Sequence, residues 1–185
     1  MKAGRVSMEA SSGARPRRRG TTRVVVGSRV PAPAGALFAL RSDPWNLRAL
    51  SPLLPVHLEA PTRPVQPDDV HHIHIRLLRR TIRWELVIVE VEPDRRIVDV
   101  QRRGPFRAWR HQHIVLPRGE MESVLADVID FRFFVGAWGR VLDRVLVRPL
   151  LWLEFANQQR RLRRLLTRRQ SLLRRIRRRA PRATP

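Results

Sequence analysis

The sequence predicts an α+β fold in which a seven-stranded antiparallel sheet wraps around one long C-terminal helix. Between Thr22 and Phe133, segments of alternating apolar and polar residues are separated by short turns rich in proline and glycine. This pattern is typical of strands joined consecutively into an antiparallel sheet. From about Gly139 the apolar residues recur at every third or fourth position, as in a helix. The sheet must bury one apolar face, and only this helix is large enough to cover it.

The first strand and two short helices are predicted at the start of the domain. The strand covers residues 22–30 and ends at Pro31-Ala32-Pro33, because proline donates no hydrogen bond to a strand ladder. A short helix is expected over residues 34–40. Ser42-Asp43-Pro44 then has the composition of a helix N-terminus, so a second short helix is expected to follow and to end before Pro52.

Six further strands and the final helix complete the predicted order. The strands are expected at residues 56–60, 70–78, 81–91, 97–101, 106–116 and 121–133. Turn-forming residues separate the later strands, notably Gly104-Pro105 and Pro117-Arg118-Gly119. Within the helical region Pro149 either kinks the chain or marks the start of a helix, and Ala180-Pro181 ends the helix.

The net charge of +22 is concentrated at the two ends of the chain. Residues 1–23 carry +6 and residues 158–185 carry +12, whereas residues 24–157 carry only +4. We therefore expect a disordered basic arm over residues 1–21, one domain over residues 22–166, and an Arg-rich helical extension over residues 167–185. Because the excess charge lies outside the domain, it favours solvated tails over a nucleic-acid surface on the domain itself.

Composition also excludes some kinds of chemistry. The sequence contains no cysteine, which excludes disulfides, thiolate metal sites and a cysteine nucleophile. The first 30 residues have no apolar run of the length that a signal peptide needs. No segment has the ~18 consecutive apolar residues of a membrane span. A cytoplasmic location is expected, with peripheral contact to a membrane left open.

Several segments, taken in order, resemble one known superfamily, the SRPBCC proteins (START-like, polyketide cyclase-like and birch-pollen-allergen-like). Val30-Pro31-Ala32-Pro33, followed by Leu37-Phe38, resembles the opening segment of these proteins. Asp43-Pro44-Trp45-Asn46-Leu47 resembles their second short helix. Two further segments resemble a bacterial ligand-binding subgroup of this superfamily. One is Arg103–His113, which contains Gly104-Pro105-Phe106. The other is Gly136–Leu166, which contains Leu142-Asp143-Arg144 and Val147-Arg148-Pro149. The resemblance covers about residues 22–166.

The resemblance implies the helix-grip fold, with a cavity between the sheet and the C-terminal helix. It implies that the partner is a hydrophobic or amphipathic small molecule, which the protein binds or carries without a cofactor. An enzyme of the cyclase or dehydratase type is the alternative. Because one fold hosts many functions, the resemblance implies the fold more strongly than the activity, and it leaves the oligomeric state open.

A group of polar side chains is predicted on one face of two neighbouring strands. Trp109, His111 and His113 alternate and therefore share a face, as do Asp99 and Gln101. If the intervening turn has an odd number of residues, Asp99 faces His111 and Gln101 faces Trp109, whereas an even number breaks this register. Such a group could orient a polar ligand, and an Asp–His pair could act as a general base. The alternative is that these residues only form cross-strand hydrogen bonds.

The predicted ligand-binding residues are Trp84, Leu86, Asp99, Gln101, Trp109, His111, His113, Phe131 and Leu142. Candidate catalytic residues are His111, His113 and Asp99 from the same set. A second group, His71, His72 and His74, is interpreted as solvated histidines on the outer face, because a metal site would need them to meet His111 and His113 across intervening strands. No metal is therefore predicted.

The last part of the helical region is basic and amphipathic. From Gln158 to Arg179 the leucines lie on one side and the arginines elsewhere. Such a helix can lie on an anionic membrane, here through Arg160–Arg179. Nucleic acid is the less favoured partner, because no aromatic residue is interleaved with these arginines.

Overall fold

The computed structural model describes residue 14 and residues 16–46, 56–77 and 79–179, with side chains up to residue 167 except that of residue 77. Seven strands lie in these residues: β1 Thr22–Val30, β2 Val56–Glu59, β3 Val70–Leu77, β4 Arg80–Glu92, β5 Arg96–Arg103, β6 Ala108–Pro117 and β7 Ser123–Arg132. The helices are α1 Ala34–Ser42, α2 Gly136–Leu142 and α3 Arg148–Arg179, and a π-helical turn, Asp143–Val147, joins the last two.

The strands form one antiparallel sheet in the order β1-β7-β6-β5-β4-β3-β2. Consecutive strands from β2 to β7 are neighbours, and β1 pairs with β7 and forms one edge of the sheet. The predicted fold class is therefore confirmed. Each strand alternates between an inner face, which is turned toward α3, and an outer face.

Helix α3 packs against the inner face of the sheet, where it meets β1. One apolar cluster joins Val24, Ile129 and Phe131 of the sheet to Phe155 and Ala156 of α3. A second cluster, nearer to α1, joins Leu37, Phe38 and Leu125 to Leu162. Members of both clusters also line a cavity on this face of the sheet.

The structure places Pro149 inside a continuous helical region and directly after a π-helical turn. The backbone of Asp143 and Arg148 is α-helical, and the N–H of Arg148 donates to the carbonyl of Asp143, five residues earlier. Proline has no N–H to donate, and a π-helical turn is one of the ways in which a helix departs from regular geometry beside such a residue. The helical region itself begins at Gly136, three residues before the predicted start, where a φ of +74° favours glycine.

Two other sequence predictions lie largely outside the described residues. Of the second short helix, only its beginning is described, and there Asp43 Oδ1 accepts the N–H of Trp45 at 3.0 Å, as expected of a cap. Most of the basic arm is also outside the described residues, as are the side chains of the Arg-rich extension beyond Thr167. Of the helices that the structure describes, none is long and apolar enough to cross a membrane.

Candidate ligand-binding cavity

A cavity of about 170 Å³ lies between the inner face of the sheet and helices α1 and α3. Its walls are largely apolar because the strands place every second residue on this face. The wall includes Leu58, Ile73, Ile75, Leu86, Ile88, Ile97, Leu151 and Phe155, together with the indoles of Trp84 and Trp109. The two indoles meet edge to face, with ring centroids 4.7 Å apart.

One end of the cavity is polar. Asp99 of β5 lies directly opposite His111 of β6, which is the favourable one of the two registers that the sequence left open. His113 follows His111 on the same face, and Arg41 reaches the same end from α1, which packs on β6. All four side chains line the cavity.

Asp127 lies behind this end of the cavity and contacts the side chains that form it. It lies on β7 opposite His113 and is almost completely buried. Its Oδ1 atom is 2.8 Å from His113 Nδ1 and 3.1 Å from His111 Nε2, and accepts a hydrogen bond from Arg41 Nη2 at 3.1 Å. The amide of Gln159, on α3, donates to Oδ2 at 2.7 Å. One carboxylate thereby connects β6, α1 and α3.

Asp99 makes a different set of contacts. Trp109 Nε1 donates a hydrogen bond to Asp99 Oδ1 at 3.0 Å. The other oxygen, Oδ2, is 3.4 Å from His113 Nε2 and 3.5 Å from His111 Nδ1. Each imidazole therefore lies between two carboxylates, with one ring nitrogen toward Asp127 and the other toward Asp99.

The surroundings of the two carboxylates favour their ionised forms. Burial opposes the ionisation of Asp127, but the charge of Arg41 and the hydrogen bonds with His111 and His113 hold its pKa well below the ordinary value. For Asp99, burial is likewise outweighed by His113, His111 and Trp109, so its pKa is also lowered. Both side chains are therefore anionic at neutral pH.

Two buried histidines favour the neutral form. Burial lowers the pKa of His111, assisted by His113 and opposed by Asp127 and Asp99. Burial also lowers the pKa of His71, which lines the cavity and is only 7% exposed. The Nε2 atom of His71 has no hydrogen-bond partner in the described part of the chain.

The structure brings most of the predicted ligand-binding residues together. The cavity is lined by Trp84, Leu86, Asp99, Trp109, His111 and His113. The candidate catalytic residues are thus all in the cavity wall.

Three predicted ligand-binding residues lie elsewhere. The amide of Gln101 donates to the carbonyl of Phe106 at 2.6 Å and closes the β5–β6 turn. Phe131 is fully buried in the core and does not reach the cavity wall. Leu142 is 41% exposed, because the next residue, Asp143, takes the inward position and accepts the N–H of Phe133 at 3.2 Å.

His71 corrects the interpretation of the second histidine group. His72 and His74 are half-buried on the outer face, as predicted, and β4 and β5 separate their strand from β6. His71 instead faces inward. The sequence indicates this orientation, because side chains two residues apart in a strand share a face, and His71 therefore lies on the face of the apolar residues Ile73 and Ile75.

Sequence reasoning also missed Asp127 and Arg41. The sequence does indicate that Asp127 faces inward, because it alternates with Leu125, Ile129 and Phe131 on one face of the same strand. Arg41 carries none, since only the packing of α1 on β6 brings its side chain to the cavity.

Comparison with known proteins confirms the fold. No family model matches the chain, and no curated protein matches it in sequence. Among solved structures, the protein TTHA0849 from Thermus thermophilus is 18% identical, with a TM-score of 0.64 over 79% of this chain and 97% of that one. The ZhuI aromatase/cyclase from Streptomyces sp. R1128 is 17% identical, with a TM-score of 0.59 over 78% and 96% of the two chains.

A third similar structure is norcoclaurine synthase from Thalictrum flavum, which is 14% identical with a TM-score of 0.54 over 79% of this chain and 92% of that one. A START superfamily protein from Mycobacterium smegmatis is also similar, at 15% identity and a TM-score of 0.58 over 76% and 97% of the two chains. The chain therefore has the helix-grip fold that these similar structures share. The resemblance to a bacterial subgroup remains a prediction.

Proposed function

We propose that the protein binds a small amphipathic molecule in the cavity between the sheet and α3. The observation that carries the proposal is the cavity itself, which is apolar along its walls and ends in a group of buried charged and imidazole side chains. Binding sites for small molecules combine these two properties, because apolar walls supply affinity and a few polar groups set the orientation.

The size of the cavity limits the size of the molecule. A volume of about 170 Å³ compares with the roughly 150 Å³ of an engineered cavity that holds benzene. One substituted ring or a short chain fits this space, whereas a polycyclic molecule requires the walls to move. Trp84, Trp109 and Phe155 offer aromatic surface to such a ring.

Unpaired polar atoms in the wall favour a ligand with a polar head. Among the described residues, Arg41 Nε, His71 Nε2, Trp84 Nε1 and Glu154 Oε2 are buried without a hydrogen-bond partner, and all four residues line the cavity. A buried polar atom without a partner costs about 1–3 kcal/mol. A ligand that forms hydrogen bonds with these atoms recovers part of that cost.

Proteins of similar fold support a molecule of this size. The norcoclaurine synthase structure contains dopamine and hydroxybenzaldehyde. At this low sequence identity only the fold can be inferred from that structure, so the chemical nature of the ligand here has to be measured.

The test is a cavity-filling substitution, Ile73→Phe, with His74→Phe as the matched control on the outer face of the same strand. Binding of hydroxybenzaldehyde is followed by tryptophan fluorescence, to which Trp84 and Trp109 of the cavity wall contribute. Ile73→Phe is expected to weaken binding about tenfold or more, because the added ring occupies ligand volume, and His74→Phe is expected to leave it unchanged.

Native mass spectrometry of the protein purified from its own cells identifies the natural occupant. A bound molecule of the size of one substituted ring is expected in the wild type and missing in Ile73→Phe. Equal occupancy in both proteins, with both folded by thermal unfolding, would refute binding in this cavity.

A second candidate function is acid–base chemistry on the bound molecule. The observation that favours it is His71, a neutral buried imidazole with a free ring nitrogen at the cavity wall, which is the form that a general base requires. Incubating the identified molecule with the protein and analysing what is released separates the two functions. A carrier releases the molecule that it bound, whereas an enzyme releases one with altered mass or chromatographic retention.

A further inference from the structure

Three side chains in the cavity wall direct potential metal-ligating atoms toward one another. Asp99, His111 and His113 each offer one such atom, and these atoms all lie within 4.8 Å of one another. Asp99 Oδ2 lies 3.4 Å from His113 Nε2 and 3.5 Å from His111 Nδ1. The side chains come from neighbouring strands of a rigid sheet, so the arrangement does not depend on a loop.

These two distances fit a metal ion better than they fit hydrogen bonds. Good hydrogen bonds between nitrogen and oxygen are about 2.7–3.2 Å long, and both distances exceed that range. Two ligands held about 2.1 Å from a tetrahedral Zn²⁺ ion are separated by about 3.4 Å. The contacts of the same imidazoles with Asp127, at 2.8 and 3.1 Å, are by contrast within hydrogen-bonding range.

Groups behind the three side chains are positioned as supports for metal ligands. Asp127 contacts the second ring nitrogen of both histidines, and Trp109 donates to the second oxygen of Asp99. Histidine ligands in proteins characteristically donate their other N–H to a carboxylate, which fixes the tautomer and orients the ring. Here one buried carboxylate can orient both rings.

The local charge also suits a dication. Asp99 and Asp127 each supply a carboxylate, and Arg41, whose Nη2 atom is 3.1 Å from Asp127 Oδ1, supplies one positive charge. With ionised carboxylates and neutral imidazoles, which metal ligation requires, the group has a net charge of −1.

We propose that Asp99, His111 and His113 bind one Zn²⁺ ion, with a fourth coordination position open to the cavity. Because the three residues line the cavity and Asp127 lies behind them, a water molecule or the polar head of a bound molecule can occupy that position. The proposal goes beyond small-molecule binding and does not depend on it, since the ion can bind while the rest of the cavity is empty.

The experiment measures Zn²⁺ bound by the full chain. The protein is freed of metal with a chelator and titrated with zinc chloride at neutral pH in the presence of excess Mg²⁺. We expect one Zn²⁺ per chain. Asp99→Asn and His113→Gln should weaken binding about a hundredfold or more, and Asp127→Asn about 10- to 100-fold, because it acts only through the histidines.

The matched controls are His72→Gln and His74→Gln, which remove histidines from the outer face and should leave binding unchanged. Failure of the wild type to bind zinc, or equal binding by the wild type and a folded His113→Gln variant, would overturn the proposal. Thermal unfolding without metal reports whether each variant is folded.

A spectroscopic measurement on the wild type does not depend on any variant. Co²⁺ replaces zinc, and four-coordinate Co²⁺ absorbs visible light much more strongly than six-coordinate Co²⁺. A strong visible spectrum supports the site, whereas a weak six-coordinate spectrum contradicts it. Neither result tests small-molecule binding, so the two proposals can fail separately.

Discussion

Asp127 shows how much a single residue contributes to this site. A carboxylate on the inner face of a sheet is strongly unfavourable unless its charge is compensated. Here Arg41, two histidines and Gln159 all contact it. The alternation along β7 indicates that Asp127 faces inward, but it does not indicate which groups stabilise the carboxylate, because these come from α1, β6 and α3, which are distant in sequence.

Asp69 provides a prediction about stability and pH. It accepts two hydrogen bonds from Arg63, at 2.7 and 2.9 Å, and one from the N–H of Gln66 at 2.8 Å. The hydrogen bonds from Arg63, opposed by burial, lower the pKa of Asp69 below the ordinary 3.8. The ionised form therefore stabilises the folded protein at pH values above 3.8, and this contribution is lost as the pH falls through the lower folded-state pKa.

The measurement is thermal unfolding of the wild type and Asp69→Asn from neutral pH down to about pH 3, the range in which carboxyl groups titrate. At neutral pH the wild type should unfold at a higher temperature, and the difference should shrink as Asp69 becomes protonated. Other carboxylates titrate in both proteins and cancel in the difference. Parallel curves over the whole range would contradict the assigned role of Asp69.

At the scale of elements, Gly139 shows how a close contact with a preceding residue can outweigh the low helix propensity of glycine. In a helix, replacing glycine by alanine usually adds about 1 kcal/mol of stability. Gly139 lies in α2 and is buried. A Cβ atom there would lie 2.9 Å from the backbone carbon of Phe134 and 2.9 Å from its Cβ. The turn before α2 therefore comes too close to the helix for any larger residue.

We predict that Gly139→Ala destabilises the protein by about 1–3 kcal/mol, the usual cost of overpacking. The matched control is Gly35→Ala in α1, where the added Cβ meets only the flexible carboxylate of Asp94 at 3.3 Å. That variant should be neutral or slightly stabilising. Chemical denaturation of both variants checks the prediction, and a stabilised Gly139→Ala variant would show that the turn can move aside.

The strands and turns were predictable because their signals are local. Gly104-Pro105 and Pro117-Arg118-Gly119 separate β5, β6 and β7 as expected. The sequence left the register of β5 against β6 open, and the structure shows Asp99 opposite His111. The sequence could not decide between a kink and a helix start at Pro149, because both are compatible with a residue that lacks an N–H.

At the scale of the whole molecule, the structure leaves an apolar surface exposed near the start of the C-terminal helical region. Trp138 is 83% exposed, Val145 65% and Leu150 62%. Exposed arginines lie among them, including Arg140 and Arg144. Contact between the Arg-rich helix and an anionic membrane remains a prediction, and this surface lies on the same helical region.

The test is deletion of residues 167–185, which removes eight arginines and keeps Leu162 and Leu166 in the core. Near an anionic membrane each arginine contributes about 1 kcal/mol. Co-sedimentation with anionic vesicles should therefore weaken about a hundredfold or more, and neutral vesicles should bind neither protein strongly. Unchanged co-sedimentation would show that residues 167–185 do not bind the membrane. If the wild type is retained on RNA and the deletion variant is not, nucleic acid is the favoured partner of these residues.

The sequence by itself determined the order of the elements, the positions of the turns, and the face that carries Trp109, His111 and His113. Alternation and turn chemistry depend on near neighbours, so one chain is enough to reveal them. Only the tertiary structure decided which faces meet. Arg41 and Asp127 join the two histidines because α1 and β7 pack against β6, and periodicity indicates that a residue faces inward without indicating what it meets there.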